Sequence, residues 1–498
     1  MRKRFAALSI LLALSPAPAV HAGAPGSAPV TDTTWMEVML GGRKIGQLRI
    51  ERVRDGMRVT TTQDLRIELN RGGRSIPVGV LTRSVEAPDG QPLGFFVRST
   101  LSASESVVDG TRQSDGSYAV TSTVADVVSH RTLAWPTGAL LSDGQRQAMA
   151  DAASRHGHYV LTLFDPANQD ATSVDMEVLG EERVALPDGA EQLTHQRETL
   201  RTPRGTQRMD LWLDAQGQTR KSSLEMLGHQ LDMLACSEAC ALAPAQSIDM
   251  LRASMVDAPE ALSPSMRRGY LRYVIHVEDG DARPLITTDE QRVMALGGGN
   301  WMVDIGPSLP GGQSPPDTDD SSPNAWVQSD APVIRELAAS AVTGAEDDLQ
   351  KMAQLRDFVA GYITDHAQEV GYVSALDVVR LRAGDCKESA VLLAALARAQ
   401  RIPARVVTGM VYADRYAGST RVFVPHAWVQ AWVNGRWQSF DAALGRFDST
   451  HIALDSGDGD PWHFANLSSL FGQIRIAQVG LAPEPAPAIS GAVASSDW

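Results

Sequence analysis

The chain has 498 residues, 43% of them hydrophobic and 21% charged, with a formal charge of −14. These are globular proportions, and the length exceeds one ordinary core, so two or three domains are expected. So acidic a chain is a poor partner for nucleic acid or an anionic membrane surface.

Met1-Arg2-Lys3-Arg4 is a basic start, residues 5–14 are apolar, and Val20-His21-Ala22 supplies small residues for cleavage. Residues 1–22 therefore read as a secretory signal peptide cut after Ala22, which puts the mature protein outside the cytoplasm, in the periplasm of a Gram-negative cell. The apolar run is too short to stay as a stable membrane anchor, and no later segment is long and apolar enough to span a bilayer.

Residues 23–265 read as an antiparallel β-rich domain, curved or half-barrelled. Runs 35–40 and 45–50 flank Gly41-Gly42 as a hairpin, and Leu65, Ile67 and Leu69 alternate with polar neighbours. Short strands continue past Tyr118 and through residues 209–213, with a helix expected near 145–154. His156-Gly157-His158 lacks a third ligand and reads as a loop. Cys236 and Cys240 are expected to pair in an oxidising compartment. Their spacing is not the C-x-x-C of a redox site and lacks a four-ligand zinc pattern. Cys386 is then left as a free thiol, which in a secreted chain calls for a chemical explanation.

Residues 266–306 read as a bridging β segment, with Gly297-Gly298-Gly299 a turn, since it lacks the Lys-Ser/Thr of a phosphate loop. Residues 307–330 are rich in Pro, Gly, Ser and Asp and read as a flexible linker. Its run Asp317-Thr318-Asp319-Asp320 reads as solvated charge, with calcium binding the alternative. Residues 331–475 form the next expected domain, fronted by helices over 332–338 and 349–363. Residues 476–498, rich in Ala, Pro and Ser, read as a disordered tail.

Within 331–475 the chemistry concentrates. Arg382-Ala383-Gly384-Asp385-Cys386-Lys387-Glu388 precedes an apolar run to Ala399 that reads as a buried helix. Asp385 is a good N-cap and Glu388 completes a capping box, so Cys386 becomes the first helical residue. There the helix dipole favours a thiolate, and backbone N–H groups can meet a developing oxyanion. Gly384 permits an unusual turn before the helix.

Residues 405–412 read as a strand, 413–420 as a polar loop, and 426–433 as a second strand with His426, Trp428, Gln430 and Trp432 on one face. Asn434-Gly435 is a two-residue type I′ hairpin signal. It sets Val433 opposite Arg436, Trp432 opposite Trp437 and Trp428 opposite Asp441. Asp441 then shares the face of His426, as its diagonal neighbour about 7–8 Å away. Trp428 and Trp437 read as ordinary aromatic packing. A thiol, an imidazole and a carboxylate in mutual reach make a nucleophile able to attack an amide carbonyl.

Several pieces together resemble the transglutaminase-like superfamily, in its bacterial branch, over about residues 331–454. They are Ser374-Ala375-Leu376, Gly384-Asp385-Cys386, Ala397-Arg398-Ala399 with Ile402-Pro403-Ala404-Arg405, His426-Ala427-Trp428-Val429, Trp437 and Phe440-Asp441. The resemblance implies a papain-like triad, with Cys386 the nucleophile, His426 the general base and acid, and Asp441 the orienter of the imidazole. Ser389 stands where many relatives carry His or Tyr, and Ala442 where they carry Pro; neither belongs to the triad.

The expected fold class is α+β: an N-terminal antiparallel β-rich domain and a C-terminal papain-like α+β domain. The expected function is a thiol enzyme that cleaves amide bonds of a peptide or protein substrate through a Cys386 thioester, with no metal or other cofactor. The alternatives are a transamidase that passes the acyl group to an amine, and a ligand-binding protein with a vestigial triad.

Overall fold

The computed structural model describes residues 29–485, apart from 72–73, 102–103, 125–126, 154, 156, 203–204, 227, 247–251, 253, 279–284, 311, 367–372 and 461–470. The expected signal peptide, His156 and the tail beyond 485 lie outside the described residues.

Strict alternation builds the first half. In the strand Val30–Leu40, Met36, Val38 and Leu40 point inward and pack with Leu193, Trp212 and Leu231. That period of two buries one face of a pleated strand. The result is a 15-stranded sheet with Val30–Leu40 in the middle. From there the chain meanders out to Val127–Leu133 at one edge, crosses to Ala139–Leu140 at the other, and winds back until His229–Cys236 pairs with Val30–Leu40. The pairing is antiparallel except that Ala139–Leu140 runs parallel to Gly157–Asp165. The helix Ser142–Ala153 follows the crossing, and buried Glu86 caps it by accepting from the N–H groups of Asp143 and Gly144, both at 2.8 Å. Cys236 and Cys240 form a disulfide just after the last strand.

Two smaller sheets build the second half. One runs Val256–Asp257, Ser419–Val433, Ala404–Tyr416, Ile452–Gly457, with Arg436–Phe440 also paired to Ser419–Val433. The other runs Gln291–Gly297, Asn300–Ile305, Leu271–Val277, Ile474–Leu481. Helices Pro332–Ala341, Asp348–Tyr362 and Ala375–Leu381 surround the buried helix Cys386–Ala399. The molecule is therefore α+β, with most of its helical residues in the C-terminal half. Among the described residues no helix is long and apolar enough to cross a membrane.

Two segments differ from their composition. The expected tail begins inside the strand Ile474–Leu481, whose Ile474 and Ile476 lie opposite Val277 and Ile275 and are buried there. Alternation outweighs the Ala/Pro content that follows it. The expected linker 307–330 is irregular, yet Trp326 and Val327 enter the helical core. Arg398 donates to the Ser322 carbonyl at 2.7 Å and Asn324 to the Asp458 carbonyl at 2.9 Å, so side chains supply the anchoring that a ladder would otherwise give.

Candidate active site

Local capping fixes the thiol. Cys386 opens its helix; the Lys387 N–H donates to Asp385 Oδ1 at 2.9 Å, and the Asp385 N–H donates to Glu388 Oε2 at 2.9 Å. This is the reciprocal capping box. Gly384 has φ 156°, and a Cβ there would lie 2.3 Å from Glu388 Cβ, so only glycine lets the loop close on the cap. Burial first, then the Asp385 charge, pushes the Glu388 carboxyl up to about 8. Cys386 is half-buried and is the free thiol among the described residues.

The imidazole comes from the paired strands. His426 lies opposite Gly409, whose added Cβ would meet the Ile452 carbonyl oxygen at 2.0 Å, so glycine allows the strands to close behind the ring. In the hairpin Val433 faces Arg436, Trp432 faces Trp437 and Val429 faces Phe440, the register that Asn434-Gly435 dictates. Asp441 follows directly and takes the His426 Nε2–H on Oδ2 at 2.8 Å. That leaves Nδ1 as the ring nitrogen available to Cys386, whose charge acts on the same ring.

Electrostatics reinforce the geometry. Burial works against a charge on His426, but Cys386 and Asp441 together raise the imidazole to about 10. Burial also opposes ionisation of Asp441, yet His426 and His451 outweigh it and hold the carboxyl below the usual range. The arrangement favours an imidazolium held between a sulfur and a carboxylate.

Asp441 has four donors. Besides His426, Oδ2 accepts from His451 Nε2 at 3.1 Å, and Oδ1 accepts from the N–H groups of Ala443 at 2.8 Å and Leu444 at 3.1 Å. The sequence reading did not single out His451. The signal was present as a histidine entering the apolar run Ile452-Ala453-Leu454, but the irregular turn from 441 to 451 carries no register to place it. Donor atoms of His426, Asp441 and His451 lie within 4.8 Å of one another, a spacing that suits a metal ion. Here the two Nε2 atoms face one carboxylate oxygen, so they act as proton donors rather than as lone pairs turned to a cation.

Trp428 stacks on His426 at 6.2 Å, and its indole N–H donates to Ser439 Oγ at 3.1 Å. Trp437 is core, with the Arg405 guanidinium over its ring at 3.8 Å. The bridging segment reaches this hairpin. Asp289 Oδ2 accepts from the Trp437 N–H at 2.7 Å and Glu290 Oε1 from the Ser439 N–H at 3.2 Å. Gln291 exchanges two hydrogen bonds with the Ala453 backbone, at 2.8 and 2.9 Å.

Residues 335–442 match the family model of the transglutaminase-like superfamily. No curated protein matches the chain. Similar solved structures include a candidate cysteine protease from Cytophaga hutchinsonii, at 19% identity and TM-score 0.29 over 45% of this chain and 89% of that one. A β-barrel-like protein of a domain of unknown function from Brucella abortus aligns at 15% identity and TM-score 0.33, over 41% of this chain and 95% of that one. A candidate protease from Parabacteroides distasonis aligns at 12% identity and TM-score 0.19, over 72% and 69%. Overlap this low leaves the chemistry to be read from the residues of this chain. Over residues 335–442, which hold Cys386, His426 and Asp441, the chain carries a transglutaminase-like superfamily domain.

Proposed function

We propose that the protein is a thiol hydrolase that cleaves amide bonds in a peptide or protein substrate through an acyl-enzyme on Cys386. One observation carries this reading: a buried imidazole, held at Nε2 by a buried carboxylate, feels the charge of a thiol that opens a buried helix. His426 holds the proton as an imidazolium, and the Cys386 thiolate attacks the carbonyl carbon. The positive end of the helix that Cys386 opens favours the negative charge that develops on the carbonyl oxygen. His426 then gives its proton to the departing amine, leaving a thioester. Water attacks the thioester, His426 accepts its proton, and the free acid leaves. Asp441 holds the ring and balances its charge throughout. Hydrolysis is favoured over amine transfer because water is always present and no feature of the site among the described residues marks an amine pocket.

The basic, apolar and small-residue order of residues 1–22 and the Cys236–Cys240 disulfide support a periplasmic or secreted location. Intact-mass measurement should find a chain starting at Gly23, with one alkylatable thiol in the absence of reductant; retained Met1 or three alkylated cysteines contradicts this.

The test of activity is a library of glutamine and peptide amides, incubated with and without a labelled amine and read by mass spectrometry. Free acid and a trapped adduct on Cys386 are expected. Labelled amine in the product turns the reading to transamidation, and full activity in Cys386→Ala overturns the enzymatic reading.

A further inference from the structure

His451 touches the Cys386–His426–Asp441 set, yet the steps above make no use of it. It lies beyond the family match, at the end of the turn before the strand Ile452–Gly457. Its Nε2 is 3.1 Å from the Asp441 oxygen that accepts from His426 at 2.8 Å. The other Asp441 oxygen is taken by backbone donors, so His451 is the side chain that sets the direction of Oδ2 toward His426. The His451 ring is itself fixed. Phe447 lies 4.8 Å from it and Trp428 meets it edge-on at 5.2 Å. Behind it, Nδ1 is 3.3 Å from the Asp448 N–H and 3.0 Å from the Asp448 carbonyl oxygen.

We propose that His451 is a positioning residue of the thiol centre, holding Asp441 in line with His426 and extending the set to Cys386–His426–Asp441–His451. This rests on the reading of Cys386 and His426 as the reacting pair. The Asp448 backbone makes the hold independent of charge. A neutral ring accepts the Asp448 N–H at Nδ1, a charged ring donates to the Asp448 carbonyl, and both keep the Nε2–H that Asp441 requires. The charged groups facing His451 are His426, Asp441, Asp448 with Arg446 3.8 Å behind it, and Glu290.

The experiment is the pH dependence of Cys386 alkylation by iodoacetamide in the full chain, comparing the parent with His451→Gln and His451→Leu. A glutamine amide N–H can replace Nε2–H, so its profile should overlay the parent's. Leucine fills the space without a donor. Asp441 then turns, His426 loses support, and the midpoint should move alkaline by about one unit, roughly tenfold in rate at neutral pH. A packing role alone is met by leucine, so superimposed profiles for all three proteins overturn the proposal. If His451→Leu does not fold, ¹⁵N spectra of the parent's histidine rings decide: a protonated Nε2 on His451 at neutral pH supports the array, and an unprotonated one overturns it. His426→Ala separates the two readings. If that change leaves the alkylation profile untouched, the reacting pair itself is wrong, whatever His451 does.

Discussion

The fifteen-stranded sheet and the C-terminal half bury polar groups for different ends. In the sheet several such groups serve backbone, and buried Arg52 pairs with Asp143 at 3.7 Å and with Asp32 at 3.1 Å. Glu86 caps one helix, Gln196 donates to the Met149 carbonyl at 3.0 Å, and Lys44 donates to the Ala241 carbonyl at 2.8 Å. In the C-terminal half His426, Asp441 and His451 are buried against one another beside the free thiol, with Glu388 under the same helix start. Burying a charge is costly unless it is paired, so a cluster of this kind marks where charge must be kept for chemistry. The proposed reacting groups therefore all lie in the second half, whereas the sheet holds none of them.

That contrast breaks most visibly through the triad. Cys386→Ala should abolish amide cleavage, and His426→Ala should come close, each by about a thousandfold or more; Asp441→Ala should cost less, because an orienter is partly replaceable. Rates on a cleaved peptide amide, with circular dichroism to show an unchanged fold, check the set. Comparable activity in all three variants would erase the distinction between the halves.

Leu40→Ala in the sheet core should do the reverse. It should cost about 2–5 kcal/mol of stability in a urea titration, while the alkylation rate of Cys386 in folded protein stays the same. A changed rate would show that the sheet tunes the site.

Cys236→Ser opens a disulfide between residues four apart in sequence. It should cost about 2 kcal/mol by loop-closure entropy and leave the alkylation rate unchanged. Glu388→Gln tests the buried carboxyl. Its folded value near 8 lies above the ordinary 4.5, so the parent loses stability as pH rises through that window. The glutamine variant has no such ionisation, and its melting temperature relative to the parent should climb from pH 4.5 to 8. A flat difference would mean that Glu388 ionises normally. Arg66→Ala removes an exposed partner of Asp64 and should change stability by less than about 0.5 kcal/mol.

Local chemistry made part of this legible. The Asn434-Gly435 turn fixes its own register, and the Asp385/Glu388 box fixes the helix start, so the neighbourhood of His426 and Asp441 and the place of Cys386 follow from short stretches of chain. Long-range partners were not legible. Pairing of Ile474–Leu481 with Leu271–Val277 joins residues some two hundred apart, and only tertiary contact selects it. His451 reaches Asp441 across an irregular turn, and Asp289 and Glu290 reach the hairpin edge from the bend before the strand Gln291–Gly297. Composition misread 307–330 because Pro, Ser and Asp also suit a segment anchored by side chains, as Arg398 and Asn324 show.

The strap formed by Asp289, Glu290 and Gln291 bears on how the molecule can be divided. A fragment limited to residues 331–475 would leave the Trp437 and Ser439 N–H groups and both Ala453 backbone groups without these acceptors and donors. Each group left buried and unmet would cost about 1–3 kcal/mol. The same cut removes Leu271, Tyr273 and Ile275 from against Met410, Phe423 and Ile452, baring an apolar face that favours association between fragments. The thiol therefore travels with a cooperative unit running from the strand at Val256 to the strand ending at Leu481. Recombinant boundaries or protease nicks inside that span would yield sticky, poorly folded pieces, whereas a cut between Cys240 and Val256 spares it.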